Sequence, residues 1–330
     1  MSRAKDNAFL AEGKYWVNNH AHILDCLDKS ILEYVAYVIN SYDLESYITG
    51  SAQPKLSQDN LNRIPIPLPP LSEQQRIVSE IETCLMLIDQ IDGNRSDLQT
   101  AVINTKSKIL DLAMQGKLVP QDPADEPAAD MLRRINPKAK IITDNPQYQQ
   151  LPSGWCVTTI KDVFEINPKN KAGEELDAGF VPMASIADGF NNSFDYTTRK
   201  WKEIKNGFTH FADGDIAVAK ISPCLENRKS MILNNLPNGI GSGTTELLVF
   251  RSQAIYSEYG LIFFKSDSFI NHCVGTFNGV VGQQRVGKNI VEDIHIPIPP
   301  LEEQKRIVKI VRDLFGFLNE VESNLLITNL

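Results

Sequence analysis

Four stretches of this 330-residue chain hold residue types and spacings that chemistry could use. NHAHILDC (19–26) puts His20 and His22 on one face of a strand with Cys26 close behind, half of a zinc site. No second pair of ligands has suitable spacing, so packed or hydrogen-bonded histidines are the better reading. Asp213, Asp215 and Lys220 loosely match a metal-nuclease triplet, a combination that is common by chance. GIGSGTT (239–245) is glycine-rich but lacks the lysine of a phosphate-cradling loop and the G-x-G-x-x-G spacing. A tight turn between strands is expected there. NPK (167–169) does not fit the Asp/Asn-Pro-Pro-aromatic tetrapeptide that an amino-methyltransferase places at its target base. No serine, histidine and aspartate arrangement stands out. These residues point to a chain that catalyses nothing and holds no metal.

The elements around them are organised by a repeat. LNRIPIPLPPLSEQQRIV (61–78) returns as VEDIHIPIPPLEEQKRIV (291–308), identical at 11 of 18 positions, 230 residues later. Upstream, SAQPKLSQDNL (51–61) faces VGQQRVGKNIV (281–291). After a shift of five residues, EYVAYVINS (33–41) faces EYGLIFFKS (258–266). Two modules therefore end alike. Alternating prolines hold each copy extended and remove ladder donors. Each copy then reads as a helix start, with Ser72 as N-cap and Glu73 in the first turn of one, and Glu302 and Glu303 in the other.

A heptad seam follows each copy. The first runs Ile77, Ile81, Cys84, Ile88, Ile91, Leu98, Val102, Ile109, Leu112, broken at Arg95 and Thr105. The second runs Ile307, Val311, Leu314, Leu318, Val321, Leu325. Two matched seams favour pairing with each other, and Arg95 is a candidate for fixing register. A helix over 71–115 would be on the order of 65 Å long at 1.5 Å per residue, which suits a spacer. Gly116 stands where a C-terminal cap belongs.

Composition sets the limits. A hydrophobic content of 42% indicates a folded chain, long enough for two domains. No apolar run reaches the roughly 18 residues of a membrane span. Five widely spaced cysteines fit reduced, buried thiols in a cytoplasm. The net charge of −8 argues against nucleic-acid binding when taken alone. The basic groups nevertheless cluster: TRKWKEIK (198–205 with Thr197 before it), Lys220 with Arg228 and Lys229, and Arg285 with Lys288. Five segments are expected: a partial domain (1–68), a helix (69–116), a Pro- and Asp-rich linker (117–150), a complete strand-rich domain opening on LPSGW (151–299), and a second helix (300–330). The first domain reads as incomplete, as though the chain began inside it.

These motifs resemble the DNA-specificity subunit of type I restriction-modification systems. The resemblance rests on the doubled proline phrase, LAMQGKLVPQDPADEPA, LPSGW, GDIAVAKISPCLENRK, GSGTTELLVFR, GQQRV and KYWVNNHAHIL, and it covers essentially the whole chain. It implies an α+β fold with strand-rich target-recognition domains joined by long antiparallel coiled-coil helices. Each recognition domain would read one half of a split target in double-stranded DNA, and the helices would set the gap. Modification and restriction subunits would dock on this framework, carrying the S-adenosylmethionine, ATP and Mg chemistry, with no cofactor on this chain. Most of the first recognition domain is missing from the pattern. The resemblance therefore also leaves room for an assembly subunit that reads no DNA alone, for a second copy, or for a separate N-terminal fragment. DNA contacts are expected from Lys220, Arg228, Lys229, Thr244, Thr245, Gln283, Gln284 and Arg285, with Gln and Arg on base edges and Lys on phosphates. The alternative, that several of them only shape the loops, stays open.

Overall fold

The computed structural model describes residues 7–18, 20–27, 32–50, 54–143, 145–148, 150–252, 254–279 and 284–327, with side chains to 324. They form two compact units, 1–97 and 98–330. In the first, helix α1 (Leu32–Ser41) precedes two short antiparallel strands, β1 (Ile48–Thr49) and β2 (Lys55–Leu56). Helix α2 (Gln58–Leu61) follows, with the Ser57 hydroxyl accepting from the Asn60 N–H. The prolines of 65–70 then lead into α3 (Leu71–Met114), which continues into the second unit. Two side chains hold the joint. The Tyr34 hydroxyl donates to the Pro67 carbonyl at 2.9 Å, and the Gln74 amide donates to the Pro69 carbonyl at 2.8 Å. The Pro70 carbonyl, rather than Ser72, takes the first helical N–H groups, those of Glu73 and Gln74.

The second unit repeats this joint 230 residues on. Tyr259 donates to the Pro297 carbonyl (2.8 Å) and Gln304 to the Pro299 carbonyl (3.0 Å). Tyr259 lies on α7 (Ser257–Lys265). This helix ends at Ser266, whose hydroxyl caps a new helix over 267–274.

Helix α3 ends as expected at Gly116. Its φ is +66°, and Lys117 N–H reaches back to the Leu112 carbonyl at 3.0 Å. A Cβ at Gly116 would sit 2.5 Å from the Pro152 ring, so the close approach also requires glycine. The stretch expected as a linker is packed. Helix α4 (Ala128–Ile135) buries Ala128, Met131 and Leu132 against the end of α3 and the strand core, because it is amphipathic.

Strand β3 (Cys156–Thr159) leads through a short helix, α5 (Ile160–Val163), to three sheets. One has the order β6-β5-β10-β7, formed by Thr197–Lys200, Asp177–Val181, Ile240–Gly243 and Thr209–Ala212. A second has the order β4-β11-β8-β9, formed by Glu165–Ile166, Leu247–Arg251, Ile216–Ala219 and Ser230–Ile232. The third pairs β3 with β12 (His295–Ile298). Among the described residues only the β5–β10 pair is parallel. The side chains of β8 and β11 alternate between two cores. Ala217, Ala219, Leu247 and Val249 meet Val181 and Phe211 of the first sheet, while Ile216, Val218, Leu248 and Phe250 face α7. Burial on both faces explains their unbroken apolar runs. The glycine-rich stretch is strand β10, not the expected turn. A Cβ at Gly241 would lie 2.4 Å from the Gly179 carbonyl oxygen and 2.5 Å from the Phe211 ring. The glycines let sheet and ring close together.

Helix α6 (Trp201–Ile204) follows β6, α8 (Asp267–Val274) follows α7, and α9 (Lys288–Glu292) precedes β12. Helix α10 (Leu301–Ile327) begins beside the chain just past α3. Glu303 accepts from Gln121 (2.7 Å) and Arg306 pairs with Asp125 (2.6 Å). By Glu322 it has returned to the level of Lys106, 2.5 Å away, so the two helices run antiparallel as expected. Ile307, Val308 and Val311 share one core with Ile109, Leu110, Ala113 and Met114, and Leu314 and Leu318 are packed against it. The seam differs from its expected course in two places. After Val102 the buried position is Lys106 rather than Thr105, so this lysine and Glu322 set the register inside the pair. Ile77 and Ile81 are half-buried, while Ile88, Ile91, Leu98 and Val321 are exposed. Cys84 on that face is exposed as well, against the expectation of buried thiols; Cys156 and Cys273 fit it.

Candidate nucleic-acid interface

Three segments distant in sequence meet at one end of the second sheet: the exit of β8, the β10–β11 turn and the stretch before α9. Lys220 N–H donates to the Glu246 carbonyl (2.9 Å), Val286 N–H to the Lys220 carbonyl (3.0 Å), and Ser222 N–H to the Gln284 carbonyl (2.9 Å). Lys220, Thr244, Thr245, Gln284 and Arg285 are thereby brought together. Thr245 is exposed and the other four are half-buried. Gln283 lies outside the described residues. Glu246, which the residue types alone did not single out, sits at the centre. Both its oxygens accept from the Arg285 guanidinium at 2.8 Å. That bond, with help from Lys220, holds its carboxyl below the usual range against some desolvation. Its place directly after Thr244 and Thr245 was the available signal. The arrangement holds the Arg285 guanidinium on Glu246 and gathers an amine, hydroxyls and an amide beside it, groups of the kinds that contact phosphates and base edges.

Arg228 and Lys229 do not join this face, which corrects the expectation for both. The Arg228 guanidinium donates to the Lys265 carbonyl (2.6 Å), the Ser107 hydroxyl (3.1 Å) and Asp267 (2.5 Å), and it lies over the Phe190 ring. Lys229 donates to the Ile186 carbonyl at 2.6 Å and lies 3.4 Å from Asp188. Both tie the second unit together. The TRKWKEIK cluster is likewise neutralised: Lys200, Lys202 and Lys205 pair with Asp177, Glu175 and Glu174. Asp215 is held by Arg251 and Asp213 accepts from Leu236 N–H, so neither stands with Lys220 as a metal triplet. His22 lies 2.8 Å from the Leu56 carbonyl, and His20 is exposed.

Lys265, beside Arg228, is 3% exposed and donates to the Gly189 and Arg228 carbonyls. Burial, then the Arg228 charge, lowers its amine from 10.5 to about 7. Below pH 7 both folded and unfolded chains bind this proton, and the penalty of burying the charge is fully present. Between about pH 7 and 10.5 the unfolded chain binds more protons, so stability rises with pH. Replacing Lys265 with Met should flatten the rise in unfolding free energy by up to about 1.4 kcal/mol per pH unit in that window. Urea titrations at pH 6 to 9 on both proteins measure it; equal slopes would place the titration elsewhere.

The comparisons with known proteins agree with this architecture. Residues 7–96 and 152–328 match the family model for the type I restriction modification DNA specificity domain. The chain is 43% identical over 232 residues to the type I restriction enzyme EcoAI specificity subunit of Escherichia coli, covering 65% of this chain and 39% of that protein. It is 40% identical over 233 residues to the EcoEI specificity subunit of the same organism, with the same coverage. The chain thus spans about two fifths of the length of these relatives. Among solved structures, it shares its fold (TM-score 0.55, 17% identity) with a chain from a study of complex assembly and conformational transition of the type I R-M system, over 90% of this chain and 66% of that one. No described helix is long and apolar enough to cross a membrane. With the doubled joint, the antiparallel helices and a family match spanning both units, the chain belongs to the type I restriction modification DNA specificity domain family.

Proposed function

We propose that the chain is the non-catalytic DNA-specificity subunit of a cytoplasmic type I restriction-modification complex. Its second recognition domain reads a half-site of a bipartite target in double-stranded DNA. Modification and restriction subunits dock on the helices and supply adenine-N6 methylation, DNA cleavage, and the S-adenosylmethionine, ATP and Mg that these need. The observation that carries this reading is the doubled joint. The same tyrosine and glutamine bonds fasten each unit to its spacer helix, as a two-part DNA target requires of its reader. The other half-site would come from a second copy or from a separate N-terminal fragment.

Co-expression with modification subunits followed by methylome sequencing tests the proposal. A new methylated split motif is the expected result. A palindromic motif would identify a second copy, and an asymmetric one a separate fragment. A stable complex without methylation would leave only an assembly role. In DNA titrations, Lys220→Ala should weaken all sequences alike and reduce the salt slope by about 1. Thr245→Ala or Gln284→Ala should cost roughly 1–3 kcal/mol on the preferred sequence only. Uniform losses from all three would show that the face holds phosphates without reading bases.

A further inference from the structure

The 230-residue correspondence holds bond for bond at the joint and then fails one turn into each helix. On α10, Glu303 is 1% exposed and accepts from the Gln121 amide and the Trp155 indole. Arg306 is paired with Asp125, whose side chain is 8% exposed, and Ile307 is fully buried. The chain leaving α3, Gly116 to Asp125, therefore lies over the start of α10 and is gripped by a carboxylate and a guanidinium one turn apart. The counterparts on α3 are the same residue types: Glu73, Arg76 and Ile77. The neighbouring Gln74 makes the same bond as Gln304 and is buried, so the backbone presents these side chains as α10 does. Yet Glu73 and Arg76 have side chains 50% and 76% exposed, and among the described residues they meet only each other, at 3.6 Å.

We propose that the start of α3 is a docking site, the open counterpart of the filled one on α10. It would take an extended segment of a partner protein with the chemistry of residues 116–125. That segment offers a carboxamide or indole N–H to Glu73, a carboxylate to Arg76, and apolar or proline side chains over Ile77. Charge complementarity and the occupied copy in the same molecule define this occupant. The site does not depend on whether the chain reads DNA. It would give a partner a sequence-coded hold on the spacer helix at the first unit.

The test uses the full chain and a fluorescein-labelled peptide of residues 114–127, followed by anisotropy. Saturable binding is expected, weakened about tenfold or more by Arg76→Glu, because a charge-assisted hydrogen bond is lost. A peptide carrying Arg at the place of Asp125 should restore binding to that variant. Arg76 is exposed, so its replacement leaves folding intact. The result that overturns the site is no saturable binding up to 1 mM. Binding insensitive to Arg76→Glu but abolished by Arg306→Glu would also overturn it, since the peptide would then be exchanging at α10. So would self-association of the chain that Arg76→Glu abolishes, read by sedimentation, because a second copy would then be the occupant.

Discussion

Replacing Asp215 with alanine should lower the unfolding free energy of the second unit by about 3–5 kcal/mol, because it strips one partner from a largely buried ion pair. The Asp215 carboxylate is buried. It caps the Ala212 N–H (2.7 Å) and accepts from Arg251 through Nε (2.8 Å) and Nη2 (2.7 Å). These bonds tie the β7–β8 turn to the end of β11, so their loss loosens β7, an edge strand of one four-stranded sheet, and the ends of β8 and β11, the central strands of the other. Arg251→Met alone should also destabilise, leaving the carboxylate buried and unpaired. The double variant should recover part of the loss, because neither charge then remains orphaned. Urea unfolding of the three variants measures this, and an Asp215→Ala loss below about 1 kcal/mol would contradict the pairing. Register places Asp215 and Arg251 at the opposite end of β8 and β11 from Lys220 and Glu246. DNA affinity per folded molecule should therefore be unchanged at low temperature.

Arg228→Met should destabilise by roughly 2–4 kcal/mol, through three hydrogen bonds from a charged donor, one of them to a carboxylate. The side chain joins four parts of the unit: Lys265 at the end of α7, Asp267 at the start of α8, Ser107 on α3, and Phe190, whose ring in turn meets Phe315 of α10. The variant also removes a positive charge that lowers the Lys265 amine. That amine should then titrate higher, and the rise of stability above pH 7 should shrink. The two substitutions should therefore be non-additive when Arg228→Met and Lys265→Met are combined. Additive losses, with the pH slope of Arg228→Met unchanged, would show that the two cations do not act on one another. In DNA titrations, Arg228→Met should not change the salt slope as Lys220→Ala does, because its guanidinium donates inward.

Short-range physics carried much of this structure in the sequence itself. Alternating prolines deny ladder donors, a 3.5-residue apolar step marks a helix that pairs, and a glycine at φ +66° ends it. Each of these acts within a few residues, so both long helices and the doubled proline phrase were legible, while the α+β class came with the resemblance. The resemblance of whole motifs pointed to the family. Lys220, Thr244 and Gln284 were legible as candidate contacts, but their meeting was not. What the tertiary structure decided was which charges face outward. Arg228 and Lys229 read as a basic turn, and their partners lie up to 121 residues away, at Ser107, Ile186 and Asp267. The lysines of 200–205 read as a patch until Glu174, Glu175 and Asp177 are brought beside them. The seam moved onto Lys106 because Glu322 stands opposite, and GIGS became a strand because Phe211 needs the space of absent side chains. A side chain's charge and size are local properties, whereas burial and pairing depend on neighbours that only the folded chain supplies.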